Sequence, residues 1–255
     1  MKTAIIVQAR TGSSRLPNKM FLELAGQPAI KWILQRVHKV KSDFKILATS
    51  DLREDDCLVE IAEKEGWSIV RGSLHDVLSR FAKGVNEFQL DVAVRLTGDC
   101  LLTDPRMVEF ALNKFKETNP DYLILTGMID GFDVEVISGK AILMAEKKAL
   151  LPSEREHVTP YIRNHGSFKK VEIPYGKEDL SHIHLSLDYK EDQEVIESIL
   201  LRFKNEDFKY EDVMRLIQEF PHIINKTKHI VPNIGYRISL EQDKDFIKKM
   251  KNKSS

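Results

Sequence analysis

The stretch "TAIIVQARTGSSRLPNK" (3–19) joins a short apolar run to a polar loop that is rich in cations. Its first part, 3–9, is mostly apolar and is typical of a strand buried in a parallel sheet. The loop carries three cations and several small residues: Arg10, Gly12, Ser13, Ser14, Arg15 and Lys19. Arginine offers a planar fork of donors to phosphate oxygens, and lysine brings a mobile charge. The stretch predicts a first strand that opens into a triphosphate-binding loop; the alternative is a solvated loop whose arginines pair with nearby acids.

The first half of the chain alternates between strand and helix patterns. Strands are predicted at 3–9, 44–50, 67–72, 91–100 and 121–127, and helices at 29–40, 54–66, 74–88 and 105–117. This alternation is typical of βαβ units and indicates a mostly parallel sheet with helices on both faces. Ligands bind at the carboxyl ends of the strands in such sheets, where this chain has polar and charged residues.

The second half is less regular. The patterns predict a short strand and a helix within 131–149, a helix interrupted by Pro160 within 153–166, antiparallel strands at 168–176 and 182–189, helices at 191–203 and 209–221, and a frayed, solvated helix at 244–255. We expect one domain over 1–255. The segment 131–185 is expected to form a small inserted arm beside the main sheet.

Composition restricts the partners that the chain can bind. Lys plus Arg and Asp plus Glu both number 39 in 255 residues, so the formal net charge is zero and any anion site must be local. Cys57 and Cys100 give no disulfide framework and no metal-binding spacing, which is typical of a reduced cytosolic protein. No apolar run approaches the ~20 residues of a membrane span, and Gln8 and Arg10 interrupt the first run too early for a signal peptide. We expect a cytoplasmic protein that binds neither nucleic acid nor membrane.

Two aspartates stand where predicted strands end. Asp99 follows the fourth strand and Asp188 follows a late strand. Mg²⁺ prefers oxygen ligands and is usually held by one or two carboxylates plus substrate phosphates, so these residues facing the cationic loop would make a magnesium site. The alternatives are that Asp99 caps a turn and Asp188 caps the helix that follows it. Asp104, directly before a proline, is expected to cap a helix.

An ordered set of motifs resembles the cytidylyltransferases that activate sugars and sugar acids. The motifs are "IIVQARTGSSRLPNKMFLELAGQPAIKWILQRV" (5–37), "RGSLHDVLSRF" (71–81), "VRLTGDCLLTDP" (94–105), "GFDVEV" (131–136), "EREHVTPYI" (154–162) and "LSLDYKEDQEV" (185–195). The set is most similar to the spore-coat polysaccharide (SpsF-like) branch, related to the enzymes that make CMP-Kdo and CMP-sialic acid. Leu101 stands where the family usually has proline, which leaves the neighbouring carboxylate unaffected.

The resemblance implies a Rossmann-like α/β fold of the nucleotide-diphosphosugar-transferase type. It also implies a nucleotidyl-transfer reaction. In that reaction a nucleoside monophosphate passes from CTP, or from another nucleoside triphosphate, to an acceptor, and pyrophosphate leaves with the help of Mg²⁺. The acceptor would be a sugar, a sugar acid or a phosphorylated small molecule, used for surface polysaccharide synthesis. The family often forms dimers, and the segment 131–185 is the expected interface and acceptor region.

The resemblance also assigns roles to individual residues. Nucleotide binding falls to Ala9, Arg10, Gly12, Ser13, Ser14, Arg71, Asp76, Thr97 and Gly98. Catalysis falls to Arg15, Lys19 and Asp99, with Asp99 and Asp188 as the metal ligands. The residues expected to bind the small anionic acceptor are Asp133, Glu135, Arg155, His157 and Tyr161. For His157 the alternative is a capping or core histidine, and for Tyr161 it is simple packing.

Two other functions stay open at this point. A glycosyltransferase that uses a finished nucleotide sugar could share this fold, and so could a catalytically silent binding module, because a fold does not fix a function. A glycosyltransferase would need a D-x-D type of metal motif, to which only "DVE" (133–135) comes close.

Overall fold

A seven-stranded sheet forms the centre of the protein. The computed structural model describes residues 1–203 and 205–253. The strands are β1 (Thr3–Gln8), β2 (Glu23–Leu24), β3 (Gln27–Pro28), β4 (Phe44–Ser50), β5 (Ser68–Gly72), β6 (Val92–Thr97), β7 (Tyr122–Thr126), β8 (Glu135–Ser138) and β9 (Lys170–Pro174). The order in the main sheet is β5-β4-β1-β6-β8-β7-β9, and β2 and β3 form a separate small ribbon. Only β8 runs antiparallel to its neighbours, so the predicted mostly parallel sheet is confirmed.

Helices cover both faces of this sheet. They are α1 (Ala29–His38), α2 (Asp56–Lys64), α3 (Val77–Phe88), α4 (Pro105–Thr118), α5 (Gly139–Lys148), α6 (Pro152–His157), α7 (Pro160–Asn164), α8 (Lys190–Phe203), α9 (Tyr210–Glu219) and α10 (Ile234–Lys253). Alternate side chains of a strand point to opposite faces. Accordingly Ile5 and Val7 pack with α1, α2, α4, α8 and α9, whereas Ala4 and Ile6 pack with α3, α5 and α7. In the part of the chain that the structure describes, no helix is long and apolar enough to cross a membrane.

The predicted antiparallel pair in the second half is wrong. The strand β9 pairs with β7 in parallel, and in the part of the chain that the structure describes 182–189 forms an isolated bridge between His184 and Asp130 and no ladder with β9. The alternating pattern of 182–189 arises because Leu185 and Leu187 are buried in the core. His184 and Ser186 are buried as well, so the alternation in the sequence indicated neither one-sided burial nor a partner strand.

The segment 131–185 differs from the arm that the sequence suggested. Its strands β8 and β9 belong to the main sheet, and α5 packs against α3. The segment therefore builds one end of the sheet and part of its cover. Its predicted role as a dimer interface stays a prediction.

The C-terminal helix is longer and less solvated than predicted. Helix α10 begins at Ile234 and packs against α6, where Asp243 accepts hydrogen bonds from the backbone N–H and the hydroxyl of Ser153 at 2.9 and 2.6 Å. The last two residues of the predicted frayed helix, 254–255, lie outside the described residues. The start of α10 faces the carboxyl ends of the strands and helps to form the site.

Candidate functional site

Two adjoining cavities open at the carboxyl ends of β1 and β6. The first, of about 190 Å³, is lined mainly by the loop after β1. The second, of about 460 Å³, is lined by β6, β8, α6, α7 and the start of α10. The two cavities share the following residues: Gln8, Arg15, Thr97, Asp99, His157, Asp188 and Gly235. Together they form one cleft with a charged border between its two halves.

Four charged side chains meet at this border. The Lys19 ammonium donates to Asp99 Oδ2 at 2.6 Å and to Asp188 Oδ1 at 2.9 Å, and Arg15 donates to the same Asp188 oxygen at 2.6 Å. The structure therefore brings together the three predicted catalytic residues and both predicted metal ligands. Asp188 does not cap α8; that alternative is wrong, because its carboxylate is turned towards Lys19 and Arg15. Asp104 does cap α4, as predicted, by accepting from the Arg106 N–H at 2.8 Å.

The charges at the border stabilise one another. Burial disfavours the charged form of Lys19, but the nearby Asp99 and Asp188 outweigh burial and raise its pKa above the ordinary value. Burial likewise works against ionised Asp99, and the Lys19 charge outweighs it and lowers the pKa of Asp99. Lys19 and Asp99 are therefore both charged at neutral pH, and the border pairs two basic side chains with two carboxylates.

The loop after β1 is held in place by Asp55, which the sequence analysis did not identify. Asp55 is 1% exposed, and its Oδ1 accepts from the backbone N–H and the hydroxyl of Thr11, both at 2.7 Å. Its Oδ2 accepts from the hydroxyls of Thr49 and Ser50 at 2.9 and 2.5 Å. Burial opposes the charge of Asp55, but these hydrogen bonds outweigh it and lower its pKa. The carboxylate fixes the loop to the ends of β1 and β4.

Glycine stands at two positions of the site, Gly98 and Gly12, for different physical reasons. A Cβ on Gly98 would lie 2.8 Å from the Ala9 Cβ and 3.0 Å from the Met20 sulfur, so this position needs the absence of a side chain for β6 to approach β1. A Cβ on Gly12 would meet nothing within 4 Å. Gly12 therefore satisfies no packing need of the protein and leaves its backbone open to the first cavity.

The first cavity has an excess of positive charge. Its lining contains four cations and three carboxylates: Arg10, Arg15, Lys19 and Arg80, with Asp99, Glu156 and Asp188. Arg10 donates to Glu156 at 3.2 Å and to the Leu74 carbonyl at 3.3 Å. Backbone N–H groups of small residues and an excess of cations suit a phosphate group.

Arg80 is a second residue that the sequence analysis missed. It is 2% exposed, and its Nη1 donates to the Ala48 carbonyl at 3.0 Å, while its buried Nε has no partner among the described residues. Burial, and next the charge of Arg10, lower its pKa to about 10, so it stays charged at neutral pH. A buried guanidinium with an unused N–H beside a cationic loop is suited to an anionic ligand.

Four predicted binding residues line neither cavity, and three of them make contacts that support the fold. Arg71 donates to the Ser50 and Leu52 carbonyls at 2.9 and 2.7 Å, and so supports the loop after β4. Asp76 caps α3 by accepting from the Ser79 N–H at 2.9 Å, which is why α3 begins later than predicted. Arg155 donates to Asp76 and ties α6 to α3. Direct ligand contacts of Arg71, Asp76 and Arg155 stay predictions.

Glu135 and Asp133, two of the residues predicted to bind the acceptor, line the second cavity. Glu135 accepts hydrogen bonds from Arg95 and Tyr122 and, at 2.8 Å, from the Thr159 hydroxyl. Burial opposes its charge, but Arg95 and these hydrogen bonds lower its pKa. Asp133 lies on an open wall of the same cavity, where desolvation by the surrounding protein and the nearby Asp130 raise its pKa to about 7. One carboxylate is fixed as an anion, and the other can exchange a proton near neutrality.

His157 and Tyr161 have different outcomes. His157 lines both cavities, and its Nε2 hydrogen-bonds the Ser239 hydroxyl of α10 at 2.9 Å. Burial and the charge of Arg95 lower the pKa of His157 to about 4, so it is neutral at pH 7. Tyr161 is 9% exposed, stacks on His165 with 3.8 Å between ring centroids, and lines neither cavity. Its surroundings favour the packing alternative.

The carboxylates of Asp99 and Asp188 at the border are suited to a hard divalent cation such as Mg²⁺. Lys19 and Arg15 bond Asp99 Oδ2 and Asp188 Oδ1, and among the described residues the second oxygen of each carboxylate has no charged partner. Among residues 1–203 and 205–253, no group of three or more His, Cys, Asp or Glu side chains is arranged to hold a metal. Two carboxylates are nevertheless sufficient where substrate phosphates supply the other ligands, which is the usual arrangement for Mg²⁺.

Comparisons with known proteins agree on the family and the fold. The cytidylyltransferase family model matches residues 4–250. The spore coat polysaccharide biosynthesis protein SpsF of Bacillus subtilis is 30% identical over 202 residues, which are 76% of this chain and 84% of SpsF. A solved cytidylyltransferase structure from Leptospira borgpetersenii has a TM-score of 0.84 at 32% identity and covers 88% of this chain and 97% of that one. The structure of CMP:2-keto-3-deoxy-manno-octonic acid synthetase complexed with CTP shares the fold, with a TM-score of 0.61 at 17% identity over 80% of this chain and 100% of that chain.

Proposed function

This chain belongs to the cytidylyltransferase family and is a nucleotidyltransferase, and from that premise we propose that it transfers CMP from CTP to a small acceptor, with release of pyrophosphate. Asp99 and Asp188 would hold the divalent ion, Mg²⁺. Family membership favours this activity over the use of a finished nucleotide sugar and over a silent binding role. The similarity to SpsF supports an acceptor from surface polysaccharide synthesis, such as a sugar, a sugar acid or a sugar phosphate.

The observation that carries the proposal is the charged border between the two cavities. The first cavity has the cationic excess and the open backbone that a triphosphate needs, and the second is the larger and more varied in its lining. A nucleotide in the first and an acceptor in the second would meet at Arg15, Lys19, Asp99 and Asp188. The reacting phosphorus therefore belongs at the border.

The chemistry follows from this arrangement. An acceptor oxygen forms a bond to the α-phosphorus of CTP, and the bond from that phosphorus to the oxygen bridging to the β-phosphorus breaks. Arg15 and Lys19 neutralise charge on the α-phosphate and on the departing pyrophosphate, so catalysis is mainly positioning and electrostatic stabilisation. Mg²⁺, when bound, supplies further neutralisation of the phosphate oxygens.

The acceptor proton is the remaining requirement. A phosphate or carboxylate acceptor is already an anion and needs no base, whereas a hydroxyl acceptor does. Asp188 Oδ1 is already engaged by Arg15 and Lys19, and His157 is a weak base because burial lowers its pKa to about 4. Asp133, with a pKa of about 7 and a place in the second cavity, is the residue best suited to take a proton.

The experiment is a pyrophosphate-release assay with each of CTP, GTP, UTP and ATP, Mg²⁺, and a panel of sugar acids and sugar phosphates. We expect release with CTP and one acceptor class, and loss of release in Asp99→Asn. Asp245→Asn is the matched control, because Asp245 is an exposed residue of α10 that lines neither cavity. Thermal unfolding shows that both variants are folded. Normal release by folded Asp99→Asn would contradict the metal assignment, and release from another triphosphate alone would contradict the choice of CTP.

A further inference from the structure

A buried histidine lies between two aspartates behind the metal-binding carboxylates. His184 is 4% exposed; its Nδ1 contacts Asp130 Oδ2 at 2.6 Å and its Nε2 contacts Asp192 Oδ2 at 3.2 Å. Both aspartates face it from different parts of the chain, Asp130 from the loop after β7 and Asp192 from the first turn of α8. None of the roles assigned above includes this group of three side chains.

Asp192 connects this group to the site. The same oxygen that contacts His184 also accepts from the backbone N–H groups of Asp188 and Tyr189, at 2.8 and 2.7 Å. Asp192 is 1% exposed, and its other oxygen has no partner among the described residues. One carboxylate oxygen therefore contacts both the His184 ring and the backbone that carries the Asp188 side chain.

Backbone contacts also restrict the segment between His184 and Asp188. Leu185 N–H donates to the Asp130 carbonyl at 2.8 Å, and Leu187 N–H donates to the Asp99 carbonyl at 3.0 Å. Gly131, with φ +107°, approaches so closely that a Cβ there would lie 2.7 Å from the Leu185 carbonyl group. The strand-like segment that ends in Asp188 is thus fastened to the loop after β7 at one end and to Asp99 at the other.

We propose that His184 is a positioning residue, which holds Asp192 so that the Asp188 carboxylate stays in register with Asp99 for metal and triphosphate binding. The proposal rests on the proposed function. The charge of His184 is consistent with this arrangement. Burial disfavours the imidazolium, but hydrogen bonds to Asp130 and Asp192 outweigh burial and raise the pKa of His184 to about 10. An imidazolium balances the buried Asp192 carboxylate and the partly buried Asp130 carboxylate.

Two substitutions separate the two contacts of the ring. The side-chain amide of glutamine reaches roughly the position of Nε2, and that of asparagine the position of Nδ1. His184→Gln therefore keeps a donor for Asp192 and loses the one for Asp130, whereas His184→Asn does the reverse. Both variants are neutral, so they form a matched pair in charge.

The readout is the affinity of the protein–CTP complex for Mn²⁺, followed by the EPR signal of free Mn²⁺, so no acceptor is needed. Outer partners of metal ligands affect affinity about 10–100-fold, so we expect His184→Asn to lose about tenfold and His184→Gln less than about threefold. A role confined to fold stability would lower both affinities equally, or would favour His184→Asn, and either result would overturn the proposal.

A second measurement does not depend on variants that fold. The buried imidazole N–H protons of His184 in the wild-type protein, observed by NMR, should shift when CTP and Mg²⁺ are added together and much less when CTP is added with EDTA. Unchanged resonances in the metal complex would overturn the proposal. Failure of the wild-type protein to bind Mn²⁺ with CTP is a different result, because it refutes the proposed function itself.

Discussion

Replacing Lys19 by methionine tests the charged border most sharply. Methionine keeps most of the side-chain length and removes the charge. Lys19 is 8% exposed and bonds two carboxylates, so the variant leaves Asp99 and Asp188 facing each other with Arg15 as their remaining cation. We expect the protein to be less stable, because the two carboxylates lose their main counter-charge. We also expect the loss of pyrophosphate release.

The size of the effect follows from burial. Removing one partner of a buried ion pair costs about 3–5 kcal/mol. The Asp99 side chain is 25% exposed and Asp188 keeps Arg15, so solvent and the remaining arginine reduce the expected loss. We take about 2 kcal/mol, which in a chain of this size lowers the melting temperature by about 4–8 °C.

The assay is calorimetric unfolding with and without Mn²⁺, in the absence of nucleotide. Mn²⁺ should raise the melting temperature of Lys19→Met more than that of the wild type, because it can replace the missing charge between the carboxylates. The control is Lys39→Met: Lys39 also contacts two carboxylates, Asp207 and Glu206, but is 42% exposed, so its loss should cost below about 1 kcal/mol. Equal melting temperatures for the two variants, or no selective response to Mn²⁺, would refute this reasoning.

The same variant has a defined pH dependence. Folding lowers the pKa of Asp99, so its stabilising contribution is present above the ordinary value of 3.8 and is lost as pH falls through the folded value. Folding raises the pKa of Lys19, so its contribution is present below the ordinary value of 10.5 and is lost as pH rises through the folded value. The difference in melting temperature between the wild type and Lys19→Met should be level between these limits and should shrink in strong acid.

Two further predictions concern the glycines and the proton acceptor. Gly98→Ala should destabilise the protein by about 1–3 kcal/mol in denaturant titrations, because its Cβ would overlap Ala9, whereas Gly12→Ala should unfold like the wild type and lose CTP affinity by calorimetry; the reverse order would be inconsistent with the cavity. Asp133→Asn should remove the activity rise through about pH 7 when the acceptor is a hydroxyl, and should be more stable than the wild type above that pH, because the folded protein holds the Asp133 proton more tightly than the unfolded chain; an unchanged pH–rate profile would exclude Asp133 as the base.

The sequence predicted those parts of the site that are local in the chain. A continuous apolar strand followed by a cationic loop requires no knowledge of distant contacts, and Arg15 and Lys19 were found in this way. Asp99 and Asp188 were found because each follows a predicted strand and could face the cationic loop. The alternation around Asp188 nevertheless predicted a strand pairing that is absent among the described residues, because buried leucines give the same pattern without a ladder.

Residues that act through long-range contacts could not be predicted. Asp55 resembles any acidic residue near a helix start, and only the register of β1 against β4 brings it to Thr11. Arg80 lies in an ordinary amphipathic helix pattern, and His184 in an alternating one. Ser239 was missed because α10 has a weak apolar pattern, although it packs against α6 and contacts His157.

A crystal structure of the protein with CTP and Mn²⁺ tests the central claim most directly. The account predicts that the triphosphate lies along the loop from Gly12 to Lys19, and that the anomalous signal of Mn²⁺ lies between the carboxylates of Asp99 and Asp188. A triphosphate bound elsewhere, or a metal held without either carboxylate, would contradict it.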